Sequence, residues 1–209
     1  MTPDTATRRG RPRDNTVDRR VLDAAWDLLH EAGFAALTVD EVAERAGVAK
    51  TTLYRRWPTK DHLAIALAAR ILGEVPIADT GDVRRDLTEF AAALAASLDR
   101  LRRAGPADGG ASAGFAADLV AAAARHGDLG ELVQAGFAAR HELALARLQR
   151  AIQAGQLRPG VDLAILVDQL AGPLWYRVLV TGSPADRSYA ERLTAAVLGG
   201  VITTKEEQR

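Results

Sequence analysis

Apolar residues recur every three or four positions along most of this chain, which is the spacing that places them on one face of an α-helix. No segment sustains the alternation of apolar and polar residues that a half-buried strand requires. The pattern therefore predicts an all-α protein. It predicts a first helix at about 16–32, two short helices between residues 38 and 58, and longer helices at about 60–73, 82–103, 113–125, 128–154, 162–180 and 185–202.

The breaks between these helices contain residues that end or begin helices. Proline and glycine occur together at 76–81, 104–110 and 158–160. Ser183 followed by Pro184 predicts the start of the last helix, with Ser183 as N-cap and Pro184 at the first helical position.

The short helices between residues 38 and 58 form the most informative segment. Thr38 and Glu41 have the spacing of a capping box, in which hydroxyl and carboxylate satisfy free amides at a helix start. Gly47 follows the first of these two short helices, at a position where a residue with positive φ commonly ends a helix. Two helices around such a corner are typical of a helix-turn-helix, although the same corner occurs in many helical proteins that bind no DNA.

The second short helix has two contrasting faces. At 100° per residue, Ala49, Leu53 and Trp57 fall on one side and are expected to point inward. The other side carries side chains that reach phosphates and base edges, and a helix of this kind enters the major groove by its N-terminal residues. The candidate DNA-contacting residues of this helix are Lys50, Thr51, Thr52, Tyr54, Arg55 and Arg56.

An arginine-rich segment, Arg8-Arg9-Gly10-Arg11-Pro12-Arg13, precedes the first helix. Glycine and proline disfavour a helix there, and extended arginines such as Arg11 and Arg13 fit the minor groove. A basic tail that only aids solubility is the alternative. Charge distribution favours the DNA interpretation, because residues 8–60 hold 11 basic and 8 acidic residues although the whole chain has no net charge.

Residues 17–67 resemble the N-terminal domain of TetR-family transcriptional regulators. The resemblance rests on residues in the family's order and spacing, namely Ala25, Gly33, Thr38, Val42, Ala43, Ala46, Gly47, Val48, Thr52, Leu53, Tyr54, Trp57, Lys60 and Leu63. It implies a nine-helix fold with a basic arm at 1–15, a DNA-binding head at 16–62, and a ligand-binding and dimerisation domain at 63–209.

The resemblance also implies roles for single residues. Thr38 would open its helix against a phosphate, Tyr54 would bond another, and Lys60 would hold a third at the start of the next helix. Lys50, Thr51 and Thr52 would read bases, while Arg55 and Arg56 would contact phosphate or a base. Ala49 departs from the family, which commonly has a serine cap there, and a missing cap costs about 1 kcal/mol.

Two further expectations concern the larger domain. One short recognition helix covers few base pairs, so a homodimer on a palindromic operator is expected, with an interface at Leu166, Leu170, Leu174, Val178, Leu193, Val197 and Val201. A helix buried within its own domain is the alternative for the 162–180 segment. The scarce aromatics are expected to line a cavity for an unknown apolar or amphipathic inducer, or else to fill the core: Phe90, Phe115, Phe137, Trp175 and Tyr176.

Enzymatic function is disfavoured. Ser112 lies in a G-x-S-x-G pattern, but that nucleophile elbow needs a preceding strand, and a proline- and glycine-rich loop precedes it here. The chain has no cysteine, its four histidines lack metal-ligand spacing, and we expect no cofactor or membrane partner. The sequence therefore predicts a cytoplasmic, ligand-responsive transcriptional regulator, most simply a repressor. An activator or a ligand-independent regulator of the same fold, a sequence-indifferent nucleic-acid binder and a hydrolase using Ser112 are the alternatives.

Overall fold

The computed structural model describes residues 15–75, 77–105 and 114–201. These residues form nine α-helices and no strand: α1 Asn15–Ala36, α2 Val39–Ala46, α3 Lys50–Arg56, α4 Lys60–Gly73, α5 Val83–Arg102, α6 Gly114–Arg125, α7 Gly127–Gln153, α8 Leu163–Trp175 and α9 Arg187–Leu198. The all-α prediction is confirmed. The predictions for Arg11, Arg13 and Ser112 lie outside the described residues.

Helices α1–α4, here called the head, share one apolar core. Val21 and Leu29 of α1 pack with Val42 of α2, Leu53 of α3 and Leu63 of α4. The first helix extends past its predicted end, but Gly33 interrupts it with a backbone at φ 79° that an L-residue rarely adopts. The regular part of α1 therefore ends close to the predicted boundary.

Helices α5–α9, here called the body, enclose a second core. Leu94 and Leu98 of α5 pack with Leu148 of α7 and Leu170 of α8. A buried ion pair joins α5 to α7, because Arg147 Nη2 donates to Asp86 Oδ2 at 2.5 Å and both side chains are almost fully buried. Burial would raise the pKa of Asp86, but hydrogen bonds from Thr80 and Arg147 outweigh it and hold that pKa below its usual value.

The start of the last helix differs from the sequence expectation. Asp186, and not Ser183, caps α9, and its carboxylate accepts from the Tyr189 amide at 2.8 Å. Pro184 lies in the preceding loop, where its carbonyl accepts from Arg177 Nε at 2.7 Å. Aspartate caps a helix as well as serine does, so the capping residue is the one nearer the start of the apolar helical spacing.

Helix α8 continues past Pro173 and widens into a π-helical turn, Tyr176–Val180. By length and composition alone Leu163–Val180 could cross a membrane, and only 22% of it is buried within the body. One side packs into the body core, while Ile165, Tyr176 and Val180 on the other sides are more than half exposed. The expectation of a wholly buried helix is thus correct for one face only.

This orientation differs from the predicted dimer interface at the residues between 166 and 178. The α8 residues assigned to it all point into the body's own core, because α5 and α7 cover that side of the helix: Leu166, Leu170, Leu174 and Val178. The α9 and C-terminal residues assigned to it are half-buried against the same core: Leu193, Val197 and Val201.

Candidate nucleic-acid interface

The start of α2 is capped by Thr38. Its hydroxyl accepts from the Glu41 amide at 3.2 Å and donates to the Glu41 carboxylate at 2.7 Å. The hydroxyl half of the expected capping box is confirmed, whereas the Glu41 carboxylate binds the Thr38 hydroxyl in place of a backbone amide. Gly47 ends α2 in the left-handed region at φ 63°, as its position predicts. These caps fix the corner between α2 and α3.

Helix α3 lies on the head core through two side chains. Leu53 is fully buried and Trp57 is 9% exposed, so the predicted inward face is confirmed at these positions. Ala49 is exposed instead. It occupies the N-cap with a non-helical backbone, so the angular spacing of a helix does not apply to it, and its side chain makes no capping bond.

The opposite side of α3 is open to solvent. Lys50, Thr51, Tyr54 and Arg55 are exposed, and Thr52 is half-buried. Ammonium, guanidinium, hydroxyl and phenol groups are thus placed along one exposed edge of a helix whose other edge is anchored in the core. Such an edge can offer hydrogen bonds both to phosphates and to base edges.

Asp40 of α2 occupies this edge as well. Its Oδ2 accepts from the Lys50 ammonium at 2.6 Å, and its Oδ1 accepts from the Tyr54 hydroxyl at 3.0 Å. These bonds, that of Lys50 first, hold the pKa of Asp40 below its usual value, and the same carboxylate raises the pKa of Lys50 and of Tyr54. Sequence reasoning missed Asp40. Its acidic charge beside a basic helix was the signal that could have found it.

Two other candidate cations are engaged within the head. Arg56 is half-buried in an ion pair with Asp18 of α1. The Lys60 ammonium donates to the carbonyls of Phe34 at 3.2 Å and Ala35 at 3.1 Å. A cation is favoured there because free carbonyls carry partial negative charge at the C-terminus of α1. Arg56 would have to leave Asp18 to bind phosphate, whereas the Lys60 ammonium has a third donor beyond these two bonds.

A polar junction connects α4 of the head to α6 and α7 of the body. Buried Asp61 accepts from Arg125 at 3.0 Å and from His126 Nε2 at 3.1 Å. One residue further along α4, His62 Nε2 donates to Asp128 at 3.0 Å, and this bond lowers the pKa of Asp128. Sequence reasoning missed this junction, because its members are separated by more than sixty positions.

The five aromatics assigned to a ligand cavity do not come together. Phe115 packs edge-on against Phe34 in the head core, with ring centroids 5.7 Å apart, which is the core-filling alternative to a place in a cavity. Phe137 and Trp175 contact each other at the surface, with centroids 5.4 Å apart, and Tyr176 is exposed. Of the five, Phe90 alone lines an apolar crevice between α5, α7 and α8.

That crevice has a volume of about 10 Å³, which is close to the space that one water molecule requires. It is lined by Ile77, Leu87, Phe90, Ala144, Arg147, Leu148, Leu166, Val167 and Leu170.

Comparison with known proteins agrees with this geometry. The sequence pattern of bacterial regulatory proteins of the tetR family matches residues 21–67, and that of the tetracyclin repressor-like C-terminal domain matches residues 77–197. The HTH-type transcriptional regulator YdeS of Bacillus subtilis is 34% identical over 200 residues, covering 95% of this chain and 96% of its own length.

Solved structures show the same fold. The TetR-family transcription regulator SCO0332 is 34% identical with a TM-score of 0.68, covering 88% of this chain and 98% of its own. SmeT in complex with triclosan is 20% identical with a TM-score of 0.56, covering 91% of this chain and 93% of its own. The matched proteins are transcription regulators and not enzymes. This chain belongs to the TetR family of helix-turn-helix transcriptional regulators.

Proposed function

We propose that this regulator is a homodimeric repressor that occupies a palindromic operator and leaves it when a small apolar or amphipathic molecule binds the body. The observation that carries the proposal is the exposed cationic and hydroxyl-bearing edge of α3, held in place by buried Leu53 and Trp57. Lys50 and Thr51, at the N-terminal end of α3, face base edges in the major groove. Tyr54 and Arg55 bind the flanking phosphates.

The remaining candidate contacts surround this edge. Thr38 approaches a phosphate at the start of α2, and Thr52 supports the reading end of α3. Arg56 and Lys60 add positive charge at the rim, where Arg56 binds phosphate after leaving Asp18 and Lys60 binds it through its third donor. Arg11 and Arg13 follow the minor groove.

A dimer is proposed because two recognition helices about 34 Å apart read a palindrome that one helix cannot distinguish. The uncovered side of α8 supports this, with Ile165, Tyr176 and Val180 exposed by 53%, 63% and 72%. Exposed small residues, such as Ala196 on α9 and Gly200 just after it, permit close approach of a second copy. The proposed interface thus uses the same two helices as the sequence expectation, but through their exposed faces.

The junction between α4 and α6–α7 supports a route from ligand to head. A molecule that enlarges the small crevice between α5, α7 and α8 displaces α7 against its neighbours. His62 and Asp61 on α4 are bonded to Asp128 on α7 and to the end of α6, so that displacement reaches the head. The ligand releases the operator to the extent that it prefers the displaced state. SmeT, which shares the fold, forms a complex with triclosan.

Footprinting of the purified protein on its own upstream DNA tests the proposal, with and without a panel of apolar and amphipathic metabolites. We expect protection of an inverted repeat that one compound relieves. Asp128→Asn should keep the protection but weaken the relief, whereas Glu142→Gln, an exposed change on the same helix α7, should alter neither. A footprint that no compound relieves would contradict the ligand mechanism. No footprint at all would contradict the operator.

A reporter gene behind the protected promoter determines the sign of regulation. Deleting the regulator should raise expression, while a fall would identify an activator. Hydrolysis of an ester panel that Ser112→Ala abolishes would favour the hydrolase alternative.

A further inference from the structure

Asp40 places a carboxylate on a surface that is proposed to bind a polyanion. It lies in the first turn of α2, where the free amides of a helix start favour negative charge. Nevertheless, its side chain reaches across the corner and accepts hydrogen bonds from Lys50 and Tyr54. Its side chain remains 47% exposed, so the charge also faces the DNA side of the head. Its two hydrogen-bond donors, the Lys50 ammonium and the Tyr54 hydroxyl, are groups that are proposed to bind DNA.

We propose that Asp40 is a specificity-determining residue, which lowers the affinity of the head for random DNA more than its affinity for the operator by holding Lys50 and Tyr54. The inference rests on the proposed function, because it assumes that the exposed edge of α3 reads the operator. According to this inference, an acidic residue on α2 contributes to the discrimination between operator and random DNA that α3 displays.

The difference between the two DNA classes follows from the donors of an ammonium group. Lys50 has three N–H donors, and Asp40 Oδ2 uses one of them. On an operator, the other two can bind the O6 and N7 acceptors of a guanine while the bond to Asp40 persists. On random DNA no guanine is in place, and a phosphate that binds the same two donors is repelled by the adjacent Asp40 carboxylate, so the contact gains little free energy.

Repulsion adds to this effect. A carboxylate at the interface disfavours every phosphate that approaches it, and only a matching base sequence supplies compensating contacts. Glu44, an exposed acid later on α2, influences Lys50 through longer-range charge. Comparing substitutions of Asp40 and Glu44 therefore separates the effect of the hydrogen bonds from the effect of negative charge in general.

The test measures binding of the full-length protein to two duplexes at several salt concentrations. One duplex is the fragment protected in the footprint, and the other is its scrambled counterpart of equal length and composition. Asp40→Asn should tighten binding to the scrambled duplex about tenfold and to the operator no more than about threefold, since the operator complex already uses Lys50. The salt slope on scrambled DNA should steepen by about one for each Lys50 released to phosphate.

Glu44→Gln is the matched control, and it should tighten binding to both duplexes by the same small factor. In a Lys50→Ala background, Asp40→Asn should no longer change the discrimination between the duplexes. If Asp40→Asn strengthens both duplexes equally, behaves as Glu44→Gln does, or keeps its effect on discrimination without Lys50, the proposal is overturned.

A DNA-free measurement separates this inference from the proposed function. The Asp40 bond raises the pKa of Tyr54, so Asp40→Asn should lower that pKa in an ultraviolet titration assigned with Tyr54→Phe. If the Tyr54 pKa is unchanged and the protein still prefers the operator, the role of Asp40 is overturned while the proposed function stands. A lowered Tyr54 pKa in a protein that binds both duplexes equally would overturn the proposed function.

Discussion

The head and the body differ in how much apolar surface they leave exposed. Within residues 15–73 the large aliphatic side chains are buried or half-buried, and the exposed edge of α3 is polar, with Lys50 and Tyr54 paired to Asp40. In the body, α7 and α8 leave large apolar side chains uncovered, including Phe137 and Tyr176. The head thus buries its apolar side chains within its own core, whereas the body leaves apolar surface exposed.

This difference teaches where each kind of substitution acts. A change beneath α3 should damage the fold of the head and remove DNA binding with it. A change on the uncovered side of α8 should leave the fold intact and remove the partner. Four variants test that separation, and they are ordered by the size of the expected effect.

Trp57→Ala should destabilise the head by about 3–5 kcal/mol, because it leaves a cavity under α3 at a position that is 9% exposed. Urea unfolding of the full-length protein, followed by circular dichroism, measures the loss. Arg55→Ala, on the exposed edge of the same helix, should change stability by less than about 0.5 kcal/mol. Equal stability of the two variants would show that Trp57 does not anchor α3.

Asp86→Asn should destabilise the body by about 3 kcal/mol, because the buried Arg147 guanidinium loses its buried anionic partner and keeps only the more exposed Asp79, 3.1 Å from its Nε. The low pKa of Asp86 also sets a pH dependence. A carboxyl whose folded-state pKa is lowered stabilises the fold above its unfolded value of 3.8 and loses this contribution as pH falls through the folded value.

Urea unfolding midpoints between about pH 6 and pH 2 measure the contribution of Asp86 to stability. This contribution should decline at pH values below the unfolded-state pKa. The wild-type midpoint should fall more steeply at the acid end than the midpoint of Asp86→Asn. Parallel curves for the two proteins would show that the Asp86–Arg147 pair makes no such contribution.

Tyr176→Asp with Val180→Asp should weaken self-association at least about 100-fold, equivalent to about 2.7 kcal/mol, by placing charges on the exposed side of α8. Sedimentation velocity measures the change, and operator affinity should fall with it while the urea midpoint stays constant. Val120→Asp, at an exposed position on α6, is the control. A double variant that remains dimeric would exclude this face of α8 as the interface.

Lys50→Ala should reduce discrimination between operator and scrambled DNA by about 1–3 kcal/mol, which is the value of one bidentate base contact. The fold should be unaffected, since Lys50 is exposed. Competition binding with both duplexes measures the ratio. An equal loss on the two duplexes would assign Lys50 to a phosphate.

The head was predictable from sequence where its determinants are local. The Thr38 cap, the left-handed Gly47 and the inward Leu53 depend on neighbours within one or two turns. Ala49 was misplaced because the helical spacing was applied one residue before the helix begins. Asp40 was missed because its contacts depend on how two helices meet at the corner.

The body was predictable in its helices but not in its faces. Apolar residues surround α8, so its sequence does not reveal which side meets α5 and which side stays uncovered. The structure turns Leu170 inward and Tyr176 outward. The same holds for Phe115, whose partner Phe34 belongs to a helix far away in sequence. Such choices are determined by long-range packing, which the spacing of apolar residues within one helix does not encode.

The central claim is that the exposed edge of α3 reads bases, and protection of guanine N7 from methylation tests it most directly. On the footprinted fragment we predict two clusters of protected guanines on one face of the duplex, about 10 base pairs apart. Lys50→Ala should lose protection at one guanine in each cluster, while Glu44→Gln keeps the full pattern. Absence of protected guanines, or a pattern that Lys50→Ala leaves unchanged, would contradict the account.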